Sequence, residues 1–181
     1  MIRIRGKMHE RESGTRAGSL VIAPIGQIHT PFKHAEGTPI QGAAGKGAEG
    51  IVEVLPELIQ GLRDLEGFDR LWLIYLLDRA SEVRLVVCPY LDTTERGVFA
   101  TRSPARPNHI GISVVRLLSV EENRLRVADV DMLDGTPLLD IKPYVPAFDS
   151  FEQSRTGWLS GRSASEVLAD ARFELGKADC E

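Results

Sequence analysis

Residues 110–132, IGISVVRLLSVEENRLRVADVDM, predict two strands joined by a tight turn. The run Ile110–Val120 is rich in β-branched and apolar residues, which is typical of a strand. Glu122 and Asn123 occupy the expected turn, and polar and apolar side chains then alternate from Arg124 to Met132, as they do along a half-buried strand. The alternation slips near Ala128, where a β-bulge would account for it.

Short runs of similar composition recur on both sides of this hairpin. Turn residues separate these runs, which are Leu20–Ile28, Ile51–Leu55, Leu71–Leu77, Val83–Val87, Val98–Thr101 and Leu138–Ile141. Helical signals are few: Pro56 suits the first turn of a helix that ends near Arg63, and residues 163–176 carry one apolar helical face. About seven short strands in one domain predict a mainly β barrel or sandwich with a few peripheral helices, and not a doubly wound sheet.

Length and composition indicate how the chain is organised. A chain of 181 residues with 43% apolar and 27% charged residues fits one globular domain with a short appendage. Residues 1–18 are polar and lack an apolar period, so we expect a flexible leader or an expression remnant there. The segment Thr30–Gly50 carries two prolines and five glycines, which predicts a long loop, and loops of this length are more often functional than idle.

Composition also restricts the location and the partners. The longest apolar runs, such as Leu71–Leu77, are far shorter than the roughly 20 residues that span a bilayer, and the polar N-terminus lacks the apolar core of a signal peptide. We therefore expect a cytoplasmic protein without a membrane anchor. The net charge of −4 argues against a general nucleic-acid-coating protein. The stretch from Arg96 to Val120 nevertheless holds four arginines and no acid, and guanidinium groups suit phosphates, carboxylates and base edges.

Common motifs for nucleotide binding, metal binding and hydrolysis are not supported. Gly45, Gly47 and Gly50 match the spacing of a dinucleotide-binding loop, but a loop precedes them and a strand follows, the reverse of the context that such a loop needs. No serine lies in a GxSxG pattern. No metal site is expected, because no CxxC pattern occurs and no HxxxH or HExxH pair is formed by the four histidines, His9, His29, His34 and His109.

Two stretches crowd polar residues around the ends of strands. In residues 99–111, FATRSPARPNHIG, two prolines stiffen the chain around Arg102, Arg106 and Asn108. Two interpretations fit this composition equally well. One is a rigid loop whose arginines pair with surface carboxylates, and the other is a site for a polyanion or cofactor. In residues 131–146, DMLDGTPLLDIKPYVP, Asp134 and Gly135 indicate a turn, although polar side chains at strand ends are also where binding residues are commonly displayed.

Four motifs in order resemble those of a known family. They are TPIQG (38–42), GLRDLEGFDRLWLIY (61–75), FATRSPARPNHIGIS (99–113) and DMLDGTPLLDIKPYVP (131–146). Together they resemble the TsaA-like (TrmO) family of barrel-shaped, S-adenosylmethionine-dependent tRNA methyltransferases. The resemblance covers about Leu20 to Asp149.

The resemblance implies a closed or nearly closed TsaA-like β-barrel over residues 19–150, and we expect a helical extension over residues 151–181. It implies S-adenosylmethionine as the cofactor, bound near the interface of a homodimer. The implied reaction is methyl transfer to N6 of a threonylcarbamoyl-modified adenosine beside the anticodon, so tRNA is the expected partner. Such an enzyme must chiefly hold donor and acceptor in line and exclude water, because a sulfonium methyl is already activated.

The resemblance also implies roles for individual residues. The expected cofactor-binding residues are Gln41, Phe99, Arg102, Leu133, Asp134, Gly135, Thr136 and Pro137. RNA phosphate or the carboxylate of the substrate would be bound by Arg102, Arg106, Asn108 and His109. The expected catalytic residues, which would shape the pocket or relay the amine proton, are Asp140, Lys142 and Tyr144.

Two positions depart from the family pattern. Ile40 stands where the family often has arginine, and His109 stands where it often has proline. Two alternatives therefore stay open. One is a non-catalytic barrel that binds S-adenosylmethionine as a sensor or regulatory partner, and the other is a methyltransferase with a different substrate.

Overall fold

A computed structural model describes residues 21–42, 47–80, 82–162 and 168–169 of the chain. Its strands are β1 (Gly26–His29), β2 (Glu49–Val54), β3 (Arg70–Leu76), β4 (Val86–Val87), β5 (Arg96–Gly97), β6 (Ile110–Glu121), β7 (Arg124–Ala128) and β8 (Thr136–Pro143). Six of them form a closed antiparallel barrel in the order β1-β2-β7-β6-β3-β8, while β4 and β5 form a separate two-stranded ribbon. The prediction of a mainly β barrel is confirmed.

The long strand β6 pairs with both of its neighbours in the barrel, β3 and β7. Its first half pairs with β3, from Leu76 opposite Ile110 to Arg70 opposite Arg116, and its second half pairs with β7. The register shifts between Leu117 and Ser119, opposite Val127 and Arg126, so the irregularity lies beside Ala128 as expected, but its extra residue is on β6 and not on β7. Glu122 adopts a left-handed φ of 54° in the predicted turn between β6 and β7.

Alternate side chains of the barrel strands meet in its interior. Burial of one such aliphatic side chain contributes about 1.5–3 kcal/mol, so the alternation along each strand determines which face points inward. The fully buried side chains include Ile28, Val52, Leu71, Leu73, Val115, Leu125, Val127 and Leu138.

Several predicted elements differ from the structure. Val98–Thr101 is not a strand: Val98–Ala100 forms a 3-10 helix directly after β5, which buries Val98 and leaves Phe99 77% exposed. The helix predicted from Pro56 is a 3-10 helix, Pro56–Leu62, and the helices are otherwise short: Leu65–Gly67 and Gly157–Leu159 are 3-10 helices and α1 spans Pro146–Asp149. The leader (1–18) and most of the helix predicted for residues 163–176 lie outside the described residues, although Leu168 itself forms an isolated bridge with Pro39. Within the described ranges no helix is long and apolar enough to cross a membrane.

Because the strands are antiparallel, three connections lie at the same end of the barrel, which we call the loop end. They leave β1, β3 and β7 and return to β2, β6 and β8, and they comprise residues 30–48, 77–109 and 129–135. Later parts of the chain touch two of these connections: Trp158 Nε1 donates to the Ala100 carbonyl at 2.8 Å, and Leu168 bridges to Pro39. The opposite end carries the Glu122 turn and the 3-10 helices that follow β2.

Candidate functional site

A hydrogen-bonded chain of side chains lies inside the barrel near the loop end. Tyr75 Oη and Ser113 Oγ are 2.9 Å apart, and Ser113 Oγ donates to Asp131 Oδ1 at 2.6 Å. Because serine has a single hydroxyl proton, Tyr75 donates to Ser113, and the chain of hydroxyls ends on the Asp131 carboxylate. Gly111 makes room for the tyrosine ring, since a Cβ at that position would lie 2.2 Å from Tyr75 Cε2. We call Tyr75, Ser113 and Asp131 the Asp131 network.

The electrostatics of this network are unusual for a barrel interior. Burial raises the pKa of the Asp131 carboxyl to about 6, although hydrogen bonds from Ser113 and the Gly42 N–H and the charge of Arg102 act in the opposite direction. Burial, and then the charge of Asp131, also raise the pKa of the Tyr75 hydroxyl, so Tyr75 remains a proton donor at neutral pH. The network therefore holds a carboxylate that is ionised at pH 7 but titrates only slightly below it.

The same carboxylate contacts the long loop between β1 and β2. The backbone N–H of Gly42 donates to Asp131, and a Cβ at position 42 would lie 2.8 Å from the Asp129 carbonyl oxygen, so only glycine fits this position without a shift. The neighbouring Gln41 accepts at Oε1 a 2.6 Å hydrogen bond from Arg102 Nη1. A guanidinium has five N–H donors, and this bond uses one of them. The structure thus brings together Gln41 and Arg102, two of the predicted cofactor-binding residues.

Other predicted residues of the 77–109 connection have different surroundings. Arg106 donates to the carbonyls of Ser103 at 2.9 Å, Thr101 at 2.7 Å and Val98 at 3.2 Å. Its guanidinium therefore stabilises the conformation of its own loop. Asn108 and Phe99 are exposed. His109 has a left-handed φ of 49°, which a proline could not adopt, and its buried Nε2 has no hydrogen-bond partner within the described residues.

The turn formed by residues 133–137 is tied to β1 and its neighbours. Asp134 accepts hydrogen bonds from the Thr30 N–H at 3.0 Å and from Lys33 Nζ at 2.5 Å, and the Lys33 bond is the main reason why the pKa of Asp134 is lowered. Gly135 has a φ of 77°, as the predicted turn requires. The Thr136 hydroxyl donates to the Leu133 carbonyl at 2.7 Å. Leu133, Gly135 and Pro137 belong to the same turn as Asp134 and Thr136, at the start of β8, and the role of all five in cofactor binding stays a prediction.

The predicted catalytic residues do not join this cluster. Lys142 Nζ lies 2.8 Å from Asp140 Oδ2, and both side chains are exposed on the outer wall, beside the outward-facing side chains of β3. The ring of Tyr144 lies 5.7 Å from that of Trp72, and its N–H donates to the carbonyl of Arg70, where β3 begins. Tyr144 therefore lies beside the first residue of β3, whereas Tyr75 is near the end of that strand.

Sequence reasoning did not single out Tyr75 and Ser113, and it quoted Asp131 only as part of a motif. Tyr75 and Ser113 occupy apolar-looking strands, where alternation alone makes them core residues. A usable signal was present, because all three belong to motifs that carry the family resemblance. The described residues contain no group of three His, Cys, Asp or Glu side chains that could hold a metal ion.

A closed antiparallel barrel with its polar cluster on loops at one end defines a class of small barrel proteins that is distinct from the doubly wound nucleotide-binding folds. Within that class, the chain belongs to the family of the tRNA-methyltransferase O N-terminal domain, whose family model matches residues 27–150.

Comparisons with known proteins agree with this placement. The chain is 59% identical over 152 residues to a probable S-adenosyl-L-methionine-binding protein of Pyrococcus abyssi, a match that covers 83% of each chain. It is 35% identical to the tRNA (adenine(37)-N6)-methyltransferase of Mus musculus, but the match covers 74% of this chain and only 33% of that enzyme. The crystal structure of TrmO from Pseudomonas aeruginosa superposes with a TM-score of 0.65 at 40% identity and covers 77% of this chain and 62% of the crystallised one. The chain therefore spans less than two thirds of the length of the last two relatives.

Proposed function

We propose that this chain binds S-adenosylmethionine at the loop end and transfers its methyl group to N6 of an adenosine beside the anticodon of tRNA, with the threonylcarbamoyl-modified nucleoside as acceptor. Family membership supports the activity, and the names of the Pyrococcus and mouse relatives support the cofactor and the tRNA substrate. The observation on which the proposal depends is the pairing of Arg102 with Gln41 directly beside the Asp131 network.

The charges at the loop end fit this cofactor. S-adenosylmethionine contains a carboxylate, an ammonium and a sulfonium group, so its site must offer groups of both signs. Arg102 offers a guanidinium, which can bind a carboxylate through two parallel N–H bonds, and the Asp131 carboxylate adds negative charge near it. When bound, the cofactor supplies an activated methyl group. The residues of this chain then have to orient donor and acceptor and exclude water, which can contribute roughly 7–11 kcal/mol in favourable cases.

The loop end also offers contacts for a single-stranded base. A base of the anticodon loop can be splayed out and read by stacking and by its edges. The exposed ring of Phe99 lies three residues before Arg102 and presents such a stacking surface. Stacking of a base on an aromatic side chain is worth about 1–3 kcal/mol. Asn108 is exposed on the same connection and can bind a base edge.

We further propose that two copies of the chain form a homodimer with the cofactor near their interface. Apolar side chains on the ribbon and next to it face solvent, namely Leu85 (65% exposed), Val86 (51%) and Phe99 (77%). Two open clefts of the single chain lie elsewhere, along β1 and β2 and beside the 3-10 helix Pro56–Leu62. A second copy that covers the ribbon would enclose the loop end and bury this apolar surface. Light scattering tests the dimer, which has twice the mass of the 19.9 kDa chain.

Incubation with methyl-labelled S-adenosylmethionine and tRNA tests the activity. We expect label in tRNA that carries the threonylcarbamoyl modification and little label in tRNA that lacks it. Arg102→Ala should reduce the labelling rate at least tenfold, and the matched control Arg63→Ala, whose side chain is 86% exposed at the opposite end of the barrel, should not. Cofactor binding without transfer to any tRNA would instead support the non-catalytic binding protein, and transfer only to another acceptor would change the substrate.

A further inference from the structure

The Asp131 carboxylate is partly buried at the loop end, where it accepts the hydrogen bond that ends the Tyr75–Ser113 chain. Its neighbours Val130 and Met132 are core residues, 0% and 4% exposed, and they supply the apolar packing at this position. None of the ion pairs within the described residues includes Asp131. A partly buried carboxylate without an ion-pair partner costs a fold stability, so its presence at the loop end points to a function.

Asp131 connects parts of the molecule that are far apart in the sequence. It lies on the connection between β7 and β8, and it accepts hydrogen bonds from Ser113 on β6 and from Gly42 on the connection between β1 and β2. The backbone of Gly42 lies so close to the barrel that a Cβ would approach the carbonyl oxygens of Asp129 and Val114 to 2.8 and 3.2 Å. The carboxylate thus fixes where the long loop meets the barrel.

The contacts of the long loop also reach the connection between β3 and β6, residues 77–109. Gln41 directly precedes Gly42, and its Oε1 accepts the hydrogen bond from Arg102 Nη1. Arg102 also lowers the pKa of Asp131 through its charge, so the guanidinium is held near a carboxylate and an amide oxygen at once. These contacts form a continuous series: Asp131 contacts Gly42, Gln41 precedes Gly42 in the chain, and Gln41 contacts Arg102.

We infer that Asp131 is a positioning residue of the proposed ligand site, and that it holds the Gln41–Gly42 segment and thereby orients Arg102 toward an oxyanion of the ligand. The inference rests on the proposed function and deepens it. The oxyanion can belong to the cofactor carboxylate or to the RNA, either as phosphate or as the carboxylate of the modified base. Separate measurements with S-adenosylmethionine and with tRNA distinguish these sources.

The first experiment compares two ways of releasing the loop. Asp131→Asn removes the carboxylate, and Gly42→Ala displaces the loop while it leaves the carboxylate in place. Both variants should weaken binding of the same ligand roughly tenfold, because one charge-assisted contact is misplaced in each. Calorimetry measures the affinity for S-adenosylmethionine, and filter binding measures the affinity for tRNA. Asp129→Asn is the matched control, because this carboxylate lies two residues away and binds the outer-wall side chain of Arg70 at 3.3 Å. It should leave both affinities unchanged.

The second experiment asks whether Asp131 acts through Arg102. Arg102→Ala should weaken binding of that same ligand, and Asp131→Asn should then have little additional effect, whereas a general loss of structure would add to the first loss. If Asp131→Asn does not fold, the Gly42→Ala variant with and without Arg102→Ala gives the same comparison. Wild-type affinity of Gly42→Ala and Asp131→Asn for both ligands, or additive losses, would overturn the inference. Failure of the wild-type chain to bind S-adenosylmethionine would instead overturn the proposed function.

Discussion

The burial of Asp131 should be visible as a pH dependence of stability that the Asp131→Asn variant lacks. Its pKa rises from 3.8 to about 6 on folding, and one pKa unit corresponds to about 1.4 kcal/mol. Between these two values the native state holds a proton that the unfolded chain has released, so the free energy of unfolding falls as the pH rises. The wild type should therefore lose about 3 kcal/mol relative to the variant between pH 3.5 and 6.5.

Urea unfolding of both proteins at half-unit steps of pH measures this difference. Other titrating groups, such as Asp92 and Asp134, are common to both proteins and largely cancel when the two unfolding free energies are subtracted. Ser113→Ala provides a second check, because loss of the hydrogen bond that lowers the pKa of Asp131 should move the midpoint of the curve to higher pH. A difference that stays constant over this range, or that rises with pH, would show that the carboxyl is not buried in the manner described.

Three further predictions concern the scaffold around the loop end. Gly111→Ala should lower the free energy of unfolding by about 1–3 kcal/mol, because its Cβ would meet the Tyr75 ring, and the urea midpoint should partly recover in a Tyr75→Leu background. Arg106→Lys should increase limited proteolysis between residues 98 and 106 and leave the salt dependence of tRNA binding intact, whereas a shallower salt slope would mean that Arg106 contacts phosphate. Asp92→Asn should raise amide hydrogen exchange near β5, because Asp92 accepts two hydrogen bonds from Arg96 that lower its pKa to about 2; in the wild type the same contact should weaken only as the pH falls from about 4 toward 2.

Much of the barrel could be predicted because its strands are long enough to show a pattern. The predicted bounds of β3 and β6 lie within one residue of the observed ends, since each run clusters apolar side chains over seven or more positions, and the four-residue run Leu138–Ile141 lies two residues inside each end of β8. The ribbon strands β4 and β5 have only two residues each and pair with one another, so no periodicity could reveal their bounds. Val98 and Phe99 look like a strand in the sequence, but one is buried and the next projects into solvent from a 3-10 helix.

The candidate site was predictable only in part, because its contacts cross between distant segments. The sequence indicated Gln41 and Arg102 separately, but their hydrogen bond spans 61 residues and depends on the barrel order. The resemblance implies a catalytic role for Asp140, and this role stays a prediction. The strand pairing shifts between Ile74 and Tyr75, and beyond that shift Asp140 lies opposite the outward-facing Ile74. A one-residue irregularity of this kind cannot be found without the partner strand.

The contacts of Trp158 and Leu168 bear on the order in which the molecule is completed during translation. All eight strands are synthesised before these residues leave the ribosome, so the barrel can close while two of its connections still lack their last contacts. Trp158, flanked by Arg96 and Arg162 at 5.7 Å, then attaches the ribbon region, and Leu168 attaches the loop near Pro39. A nascent chain should therefore acquire its fold before its binding competence, and a chain whose β8 has just left the exit tunnel would display a closed barrel whose loops still lack these contacts.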